Sequence, residues 1–163
     1  MDTHEVDRTN SPPDRMMLRD SQTGLYHEAC FNELLSLERK RRERSKEPVF
    51  LMRADLSSFA DASERQEIAK SIMKVLSGAT RETDVKGWQV DRLVIGIMFT
   101  ETPGKEATLP FSPILIANKW LGELRSSLGM ESSLRIRISW QVFPENPGAD
   151  EGPRQKTGVT CRT

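Results

Sequence analysis

The sequence lacks most of the features that would place it in a specialised class of protein. Its 163 residues include two cysteines, Cys30 and Cys161, which are too few for a disulfide framework. No apolar run approaches the roughly eighteen residues that a membrane-spanning helix needs, and the polar N-terminus has no signal-peptide core. These absences predict a reduced, cytoplasmic protein with no membrane span.

Charge of one sign is not in excess either. The 24 Lys and Arg residues balance 24 Asp and Glu residues, so no overall field draws the chain to nucleic acid or to an anionic membrane. The densest basic run lies between Arg39 and Lys46, but Glu43 interrupts it, and a helix C-terminus favours cations. We interpret this run as a solvated helix face. We predict no nucleic-acid partner and expect a local cluster of charges to bind any charged ligand.

Polar ends flank one patterned stretch of sequence. Residues 1–18 contain Asn-Ser-Pro-Pro and scattered charges, and residues 147–163 have a similar composition. Both segments are typical of flexible chain, which predicts an N-terminal arm and a C-terminal tail. With a hydrophobic content of 36% in the whole chain, residues 19–146 suit one domain with one core.

The apolar periodicity within that stretch predicts alternating helices and strands. We expect helices over about 27–46 and 63–80 and from Pro113 to Gly129, and strands over 49–56 and 134–143 with a hairpin within 81–99.

Several motifs in this stretch resemble those of the GGDEF (diguanylate cyclase-like) domains. Four landmarks occur in the family's order: Asp20–Tyr26 for Asp-x-Leu-Thr-Gly-Leu-Tyr, Asp55–Ala60 for Asp-x-Asp-x-Phe-Lys, Arg81–Leu93 for Arg-x-x-Asp and the Gly-Gly-Asp-Glu-Phe hairpin, and Ser139–Glu145 for Ser-Ile-Gly-Val-Ala with Pro-Glu. The resemblance implies an α/β, ferredoxin-like sandwich of the nucleotidyl cyclase type with a mainly antiparallel central sheet. We also expect the helix that closes the family's domain to be lost, because a polar tail stands in its place.

The residues that carry cyclase chemistry in this family are largely replaced. Asp55 and Asp91 match the family's metal-binding positions, so the resemblance implies no cofactor beyond a magnesium ion at these relict positions. The departures are Ala60 for the triphosphate-binding lysine, Gln89 and Val90 for two glycines, and Arg92 for an acidic residue. The loop that shapes the guanine pocket is also missing. The resemblance therefore implies a catalytically inactive relative.

The Arg-x-x-Asp of this family forms an inhibitory site for cyclic di-GMP. The resemblance implies that Arg81 and Asp84 bind this ligand, with Arg92 as a further cation. The alternative is that Arg81 ends a helix and Asp84 enters a loop, in water or paired locally.

Two hypotheses on function follow from these alternatives. The chain is a cyclic di-GMP receptor that acts on a signalling or exopolysaccharide and biofilm partner, or it is an interaction module that binds no nucleotide. A third hypothesis, an active diguanylate cyclase, conflicts with the replacements. Without the closing helix one apolar face lacks cover, which predicts a protein partner or a homo-oligomer unless residues 16–18 fold over it.

Overall fold

The computed structural model describes residues 18–100 and 113–143. In this part of the chain four helices and four strands follow one another: α1 (Glu28–Ser45), β1 (Val49–Asp55), α2 (Ala62–Ala79), β2 (Val85–Val90), β3 (Val94–Phe99), α3 (Pro113–Leu128), α4 (Met130–Arg135) and β4 (Arg137–Phe143). The predicted order is confirmed, and the short helix α4 is an addition to it. The predicted tail and all of the predicted arm except Leu18 lie outside the described residues, as does the segment on which the expected loss of the closing helix depends.

The four strands form one antiparallel sheet in the order β2-β3-β1-β4. Strands β1 and β2 both run antiparallel to β3, so they point the same way on either side of it. This split arrangement is the ferredoxin-like topology that the sequence predicts.

Helices cover both faces of the sheet. Helix α1 packs over one face through Phe31 and Leu35, against Leu51 and its neighbours. The other face packs against α2 and α3. The buried side chains between this face and the two helices include Met52, Trp88, Ile95 and Ile97 from the sheet, Ile72 and Leu76 from α2, and Trp120 and Leu124 from α3. A sheet buried on both faces explains why β1 and β3 are nearly continuous apolar runs.

Two glycines allow α1 to lie close to the sheet. Gly87 and Gly96 are cross-strand partners on β2 and β3. A Cβ atom at Gly87 would lie 2.6 Å from Phe31 Cβ, and one at Gly96 would lie 2.5 Å from Phe31 Cζ. The fully buried Phe31 ring therefore occupies the space that two side chains would need.

The first landmark of the sequence forms a closed turn that covers the outer edge of β2. Asp20 accepts hydrogen bonds from the Gln22 N–H (2.9 Å) and from Thr23 Oγ1 (2.8 Å). The chain then pairs with β2, where the Tyr26 N–H donates to the Lys86 carbonyl at 3.1 Å. One edge of the sheet is thereby bonded within the chain.

The sequence predicts that the basic run at the end of α1 is a solvated face. This prediction is wrong for one of its residues. Arg42 is only 8% exposed. Its Nε donates to Glu38 Oε1 at 2.6 Å, its Nη1 to Glu47 Oε2 at 2.8 Å and its Nη2 to the Thr100 carbonyl at 2.5 Å. This side chain joins the end of α1 to the start of β1 and the end of β3.

The last strand begins at Arg137, three residues later than predicted, because Leu134 and Arg135 belong to α4. The guanidinium of Arg135 lies 4.0 Å from the centre of the Phe59 ring, and its Nη2 donates to the Ser58 carbonyl at 2.8 Å. The Arg135 carbonyl in turn accepts from Ser58 Oγ at 2.6 Å. These contacts with a distant loop hold the segment outside the sheet, although its apolar alternation favours a strand.

Within residues 18–100 and 113–143, none of the helices combines the length and the apolar character that a membrane span requires.

Candidate functional site

Asp55 lies at the end of β1, where the chain leaves the sheet, and its side chain is 29% exposed. Its Oδ1 accepts a hydrogen bond from the Ser57 N–H at 2.8 Å, and its Oδ2 accepts one from Arg137 Nη2 at 2.8 Å. Arg137 is the cross-strand partner of Asp55 on β4, and its Nη2 also donates to Ser57 Oγ at 3.0 Å. Both carboxylate oxygens of Asp55 are therefore bound within the chain.

This arrangement does not fit the magnesium ion that the resemblance implies. Magnesium requires an octahedral set of oxygen ligands, whereas a guanidinium contacts the Asp55 oxygen that would bind it. Unit charges of like sign 4 Å apart repel by about 4 kcal/mol near a protein surface, and a divalent ion doubles the effect. Among the residues that the structure describes, no group of three or more His, Cys, Asp or Glu side chains could hold a metal ion.

The second expected metal ligand, Asp91, lies in the turn of the β2–β3 hairpin. The Leu93 N–H donates to the Val90 carbonyl at 3.0 Å, and Arg92 adopts a φ of 54°. The register between β2 and β3 shifts by one residue around Gln89. Positive φ thus falls on Arg92 and not on the positions of the family's two glycines, which is why the turn tolerates a β-branched residue at position 90.

Two side chains of α1 bind the backbone of this turn. Glu28 Oε2 accepts from the Asp91 N–H at 2.6 Å, and Asn32 Nδ2 donates to the Gln89 carbonyl at 3.2 Å. The hairpin backbone at these two residues is therefore already hydrogen-bonded to the protein itself.

The carboxylate of Asp84 lies at the opposite end of the hairpin, and the residue is 7% exposed. Its Oδ2 accepts from the Arg81 N–H at 2.9 Å, and its Oδ1 accepts from the Thr100 N–H at 3.4 Å. Asp84 thereby joins the segment before β2 to the end of β3. Arg81 is exposed, so its side chain is the part of the Arg-x-x-Asp pattern that a ligand can reach.

Lys86 lies near this carboxylate, and Arg19 lies near Lys86, where its guanidinium is 3.9 Å from the centre of the Tyr26 ring and its Nη1 donates to the Gly24 carbonyl at 3.0 Å. Lys86 Nζ donates to Thr80 Oγ1 at 3.0 Å and to the Arg81 carbonyl at 3.3 Å. Burial lowers the pKa of Lys86; the Asp84 carboxylate opposes this shift, and the charge of Arg19 adds to it. We call Arg19, Arg81, Asp84 and Lys86 the hairpin-base cluster.

Arg92 does not belong to this cluster. Strand β2 has six residues, which places the hairpin turn about 20 Å from the hairpin base. Arg81 and Arg92 of the same chain therefore lie at opposite ends of β2. The expectation that Arg92 supplies a cation beside Arg81 is wrong for this reason. Asp55 and Asp91 both lie at the turn end, since β1 ends opposite the start of β3.

No protein-family model and no curated protein matches this sequence. Solved structures do match it. A DGC protein from Thermotoga maritima has a TM-score of 0.56 at 20% identity, over 77% of this chain and 87% of that one. The GGDEF domain of DgcB from Caulobacter crescentus, in complex with c-di-GMP, has a TM-score of 0.52 at 13% identity, over 82% and 79%. The GGDEF domain of TpbB, or YfiN, from Pseudomonas aeruginosa has a TM-score of 0.51 at 16% identity, over 78% and 76%.

The chain has the GGDEF fold. This likeness confirms the predicted α/β, nucleotidyl cyclase-type sandwich with its antiparallel sheet. Within this GGDEF fold, the sequence did not indicate Arg137 as the partner of Asp55 or Arg19 as part of the hairpin-base cluster. Arg137 is 82 positions away from the aspartate it contacts, and only the cross-strand register brings the two together.

The Asp55–Arg137 pair makes the stability of this GGDEF-fold domain depend on pH. Partial burial acts to raise the pKa of Asp55, but the hydrogen bonds from Ser57 and the charge and hydrogen bond of Arg137 outweigh it and hold that pKa below its ordinary value. The stabilisation is complete above the unfolded-state pKa of about 3.9 and is lost as the pH falls through the lower folded-state value.

We therefore expect Asp55→Asn to lower the free energy of unfolding at pH 7 by up to about 1 kcal/mol, because the pair is partly solvated. The difference from the native chain should shrink below about pH 4, as the native carboxyl becomes protonated. Urea unfolding at several pH values measures both. Asp91→Asn, in the exposed turn, is the control, and it should change the free energy of unfolding little. A loss in Asp55→Asn that stays constant into acid would contradict the prediction.

Proposed function

We propose that this chain is a catalytically inactive, cytoplasmic GGDEF-type domain that binds cyclic di-GMP at its hairpin base. A protein partner in signalling or in exopolysaccharide and biofilm control would sense whether this site is occupied by the ligand. The observation that supports binding is the hairpin-base cluster, in which Arg81 and Lys86 accompany one buried carboxylate and Arg19 lies near Lys86. The ligand carries two phosphates, and a chain with no net charge must bind it with a local excess of cations.

Within this proposal, Arg81 and Asp84 have different roles. The guanidinium of Arg81 binds pairs of acceptor atoms on phosphate or guanine. Asp84 is a positioning residue, because it binds the Arg81 N–H and is almost completely buried. Arg19 and Lys86 would add charge beside the ligand. The DgcB domain with bound c-di-GMP is similar in fold, which supports this class of ligand by analogy.

Contacts at the turn end of the hairpin support the proposal that the chain is catalytically inactive. Arg137 binds the carboxylate of Asp55, and side chains of α1 bind the turn backbone at Gln89 and Asp91. Cyclase chemistry would require these same groups for metal and nucleotide. Glycines at positions 89 and 90 would also let a nucleotide approach the backbone, whereas Gln89 and Val90 present side chains.

We expect calorimetry to show cyclic di-GMP binding to the native chain. Arg81→Ala should weaken it about thirtyfold, since the bound ligand would cover this exposed guanidinium, and losing a charged partner from a site that is desolvated in the complex costs about 2 kcal/mol or more. Arg92→Ala removes an arginine from the other end of the hairpin and is the matched control with unchanged affinity. The same preparation with magnesium and GTP should form no cyclic di-GMP above a blank without protein. Binding that survives Arg81→Ala would contradict the assignment.

A second candidate function is an interaction module that binds no nucleotide. It is favoured by the carboxylate of Asp84, both of whose oxygens already accept hydrogen bonds from backbone N–H groups of the chain. Single large apolar side chains on α3, α4 and β4 are also exposed, and a protein partner or a second copy would cover some of them: Leu115, Met130, Leu134 and Val142. No calorimetric signal at high ligand concentration would favour this candidate.

A further inference from the structure

The guanidinium of Arg137 lies at the end of β1, where the family resemblance implies a metal ion. Its Nη2 lies 2.8 Å from Asp55 Oδ2 and 3.0 Å from Ser57 Oγ. Carboxylate and hydroxyl oxygens of this kind are ligands for hard divalent cations. The guanidinium thus contacts both side-chain oxygens that a metal ion would use here.

The sheet register keeps the guanidinium in this position. Asp55 and Arg137 are directly opposed on neighbouring antiparallel strands. Opposed residues project from the same face, with Cβ atoms about 5 Å apart, so the register brings Arg137, whose side chain is 71% exposed, within reach of Asp55. In the folded domain the chain itself thus supplies a positive charge at Asp55.

The neighbouring arginine, Arg135, makes different contacts. Its Nη2 donates to the Ser58 carbonyl at 2.8 Å, and its Nη1 lies 3.2 Å from Glu64 Oε1. Arg135 holds the loop after β1 against α2 and α4. These hydrogen bonds are to Ser58 and Glu64 and not to Asp55. Two arginines two positions apart thus have separable roles, and Arg135 provides a control for Arg137.

We propose that Arg137 is a built-in counter-ion that replaces a divalent cation at Asp55 and excludes that cation from the end of β1. The guanidinium occupies the oxygens and repels a second positive charge. Removing it leaves a carboxylate and a hydroxyl without their cation, and we expect these two groups to bind a divalent metal weakly, with water molecules as its other ligands. This role is independent of cyclic di-GMP binding, because the hairpin base lies at the other end of the hairpin.

Manganese ions test this role in the full-length chain, because a bound paramagnetic ion broadens the NMR signals of nearby nuclei. We expect Mn²⁺ to leave the Ser57 amide signal of the native chain as sharp as those of other exposed amides. In Arg137→Thr, where threonine suits a strand, the same Mn²⁺ should broaden the Ser57 signal beyond detection. Thermal unfolding of each variant checks that the domain is folded.

Two further variants locate the metal. Asp55→Asn combined with Arg137→Thr should restore a sharp Ser57 signal, and Arg135→Met alone should not create the broadening. Broadening in the native chain that Asp55→Asn abolishes would overturn the proposal, because the metal would bind despite Arg137. A folded Arg137→Thr variant without broadening would also overturn it, because something else would then keep the metal out.

Discussion

Replacing Gly96 with alanine is expected to lower the free energy of unfolding by about 2 to 3 kcal/mol, the upper range for overpacking a core. The new Cβ atom would lie 2.5 Å from Phe31 Cε1 and Cζ, closer than nonbonded carbon atoms approach. The ring cannot move aside freely, because it is fully buried between α1 and the sheet. Either α1 shifts outward or β3 distorts, and both loosen the α1 face of the core. Urea unfolding followed by circular dichroism measures the loss.

Two comparisons separate this steric effect from a general cost of replacing glycine. Gly78 lies in α2 with nothing within 4 Å of a new Cβ atom, so Gly78→Ala should raise stability by up to about 1 kcal/mol. Phe31→Leu costs stability alone, but together with Gly96→Ala it should cost less than the sum, because the smaller side chain makes room. Strict additivity in this cycle would show that the Phe31 contact is not the cause.

Replacing Arg42 with methionine is expected to lower the free energy of unfolding by about 3 kcal/mol, as for a buried ion pair that loses one partner. The variant keeps a similar apolar stem but removes three hydrogen bonds, to Glu38, Glu47 and the Thr100 carbonyl. The mostly buried carboxylate of Glu38 then loses its closest cation. Because the Thr100 N–H binds Asp84, we also expect a looser hairpin base.

The adjacent arginine is a matched control. Arg41 lies on the same helix, is 78% exposed and reaches the same Glu38 carboxylate at 3.8 Å. Arg41→Met should therefore change the free energy of unfolding by less than about 0.5 kcal/mol, as for other exposed ion pairs. Equal losses in the two variants, measured by chemical unfolding at the same salt concentration, would show that burial of Arg42 does not determine its contribution.

The elements of this fold were predictable because their signals are local in sequence. Helices α1 and α2 begin and end within one or two residues of the predicted bounds. At the start of α2, Asp61 accepts from the Glu64 N–H at 2.7 Å, a contact between residues three positions apart. The apolar runs of β1 and β3 likewise indicated strands buried on both faces. The order of these elements was sufficient to predict the class of fold.

The candidate site was predicted only in part, because its contacts depend on which strands become neighbours. The sequence singled out Asp55 and Asp84 as candidate site residues. It did not indicate their partners: Arg137 comes from the far end of the chain, and Asp84 binds backbone on both sides of the hairpin. Local sequence does not encode these distances.

Sequence by itself determined where the chain forms helices and strands, since capping and apolar periodicity act over a few neighbouring residues. Tertiary structure alone decided that Arg92 is remote from Arg81, that Phe31 lies over Gly96, and that a guanidinium binds Asp55. Each of these depends on strand register and on helix packing across the sheet. A shift of one residue in register would send every side chain of a strand to the opposite face, so packing of the whole core selects the pairs.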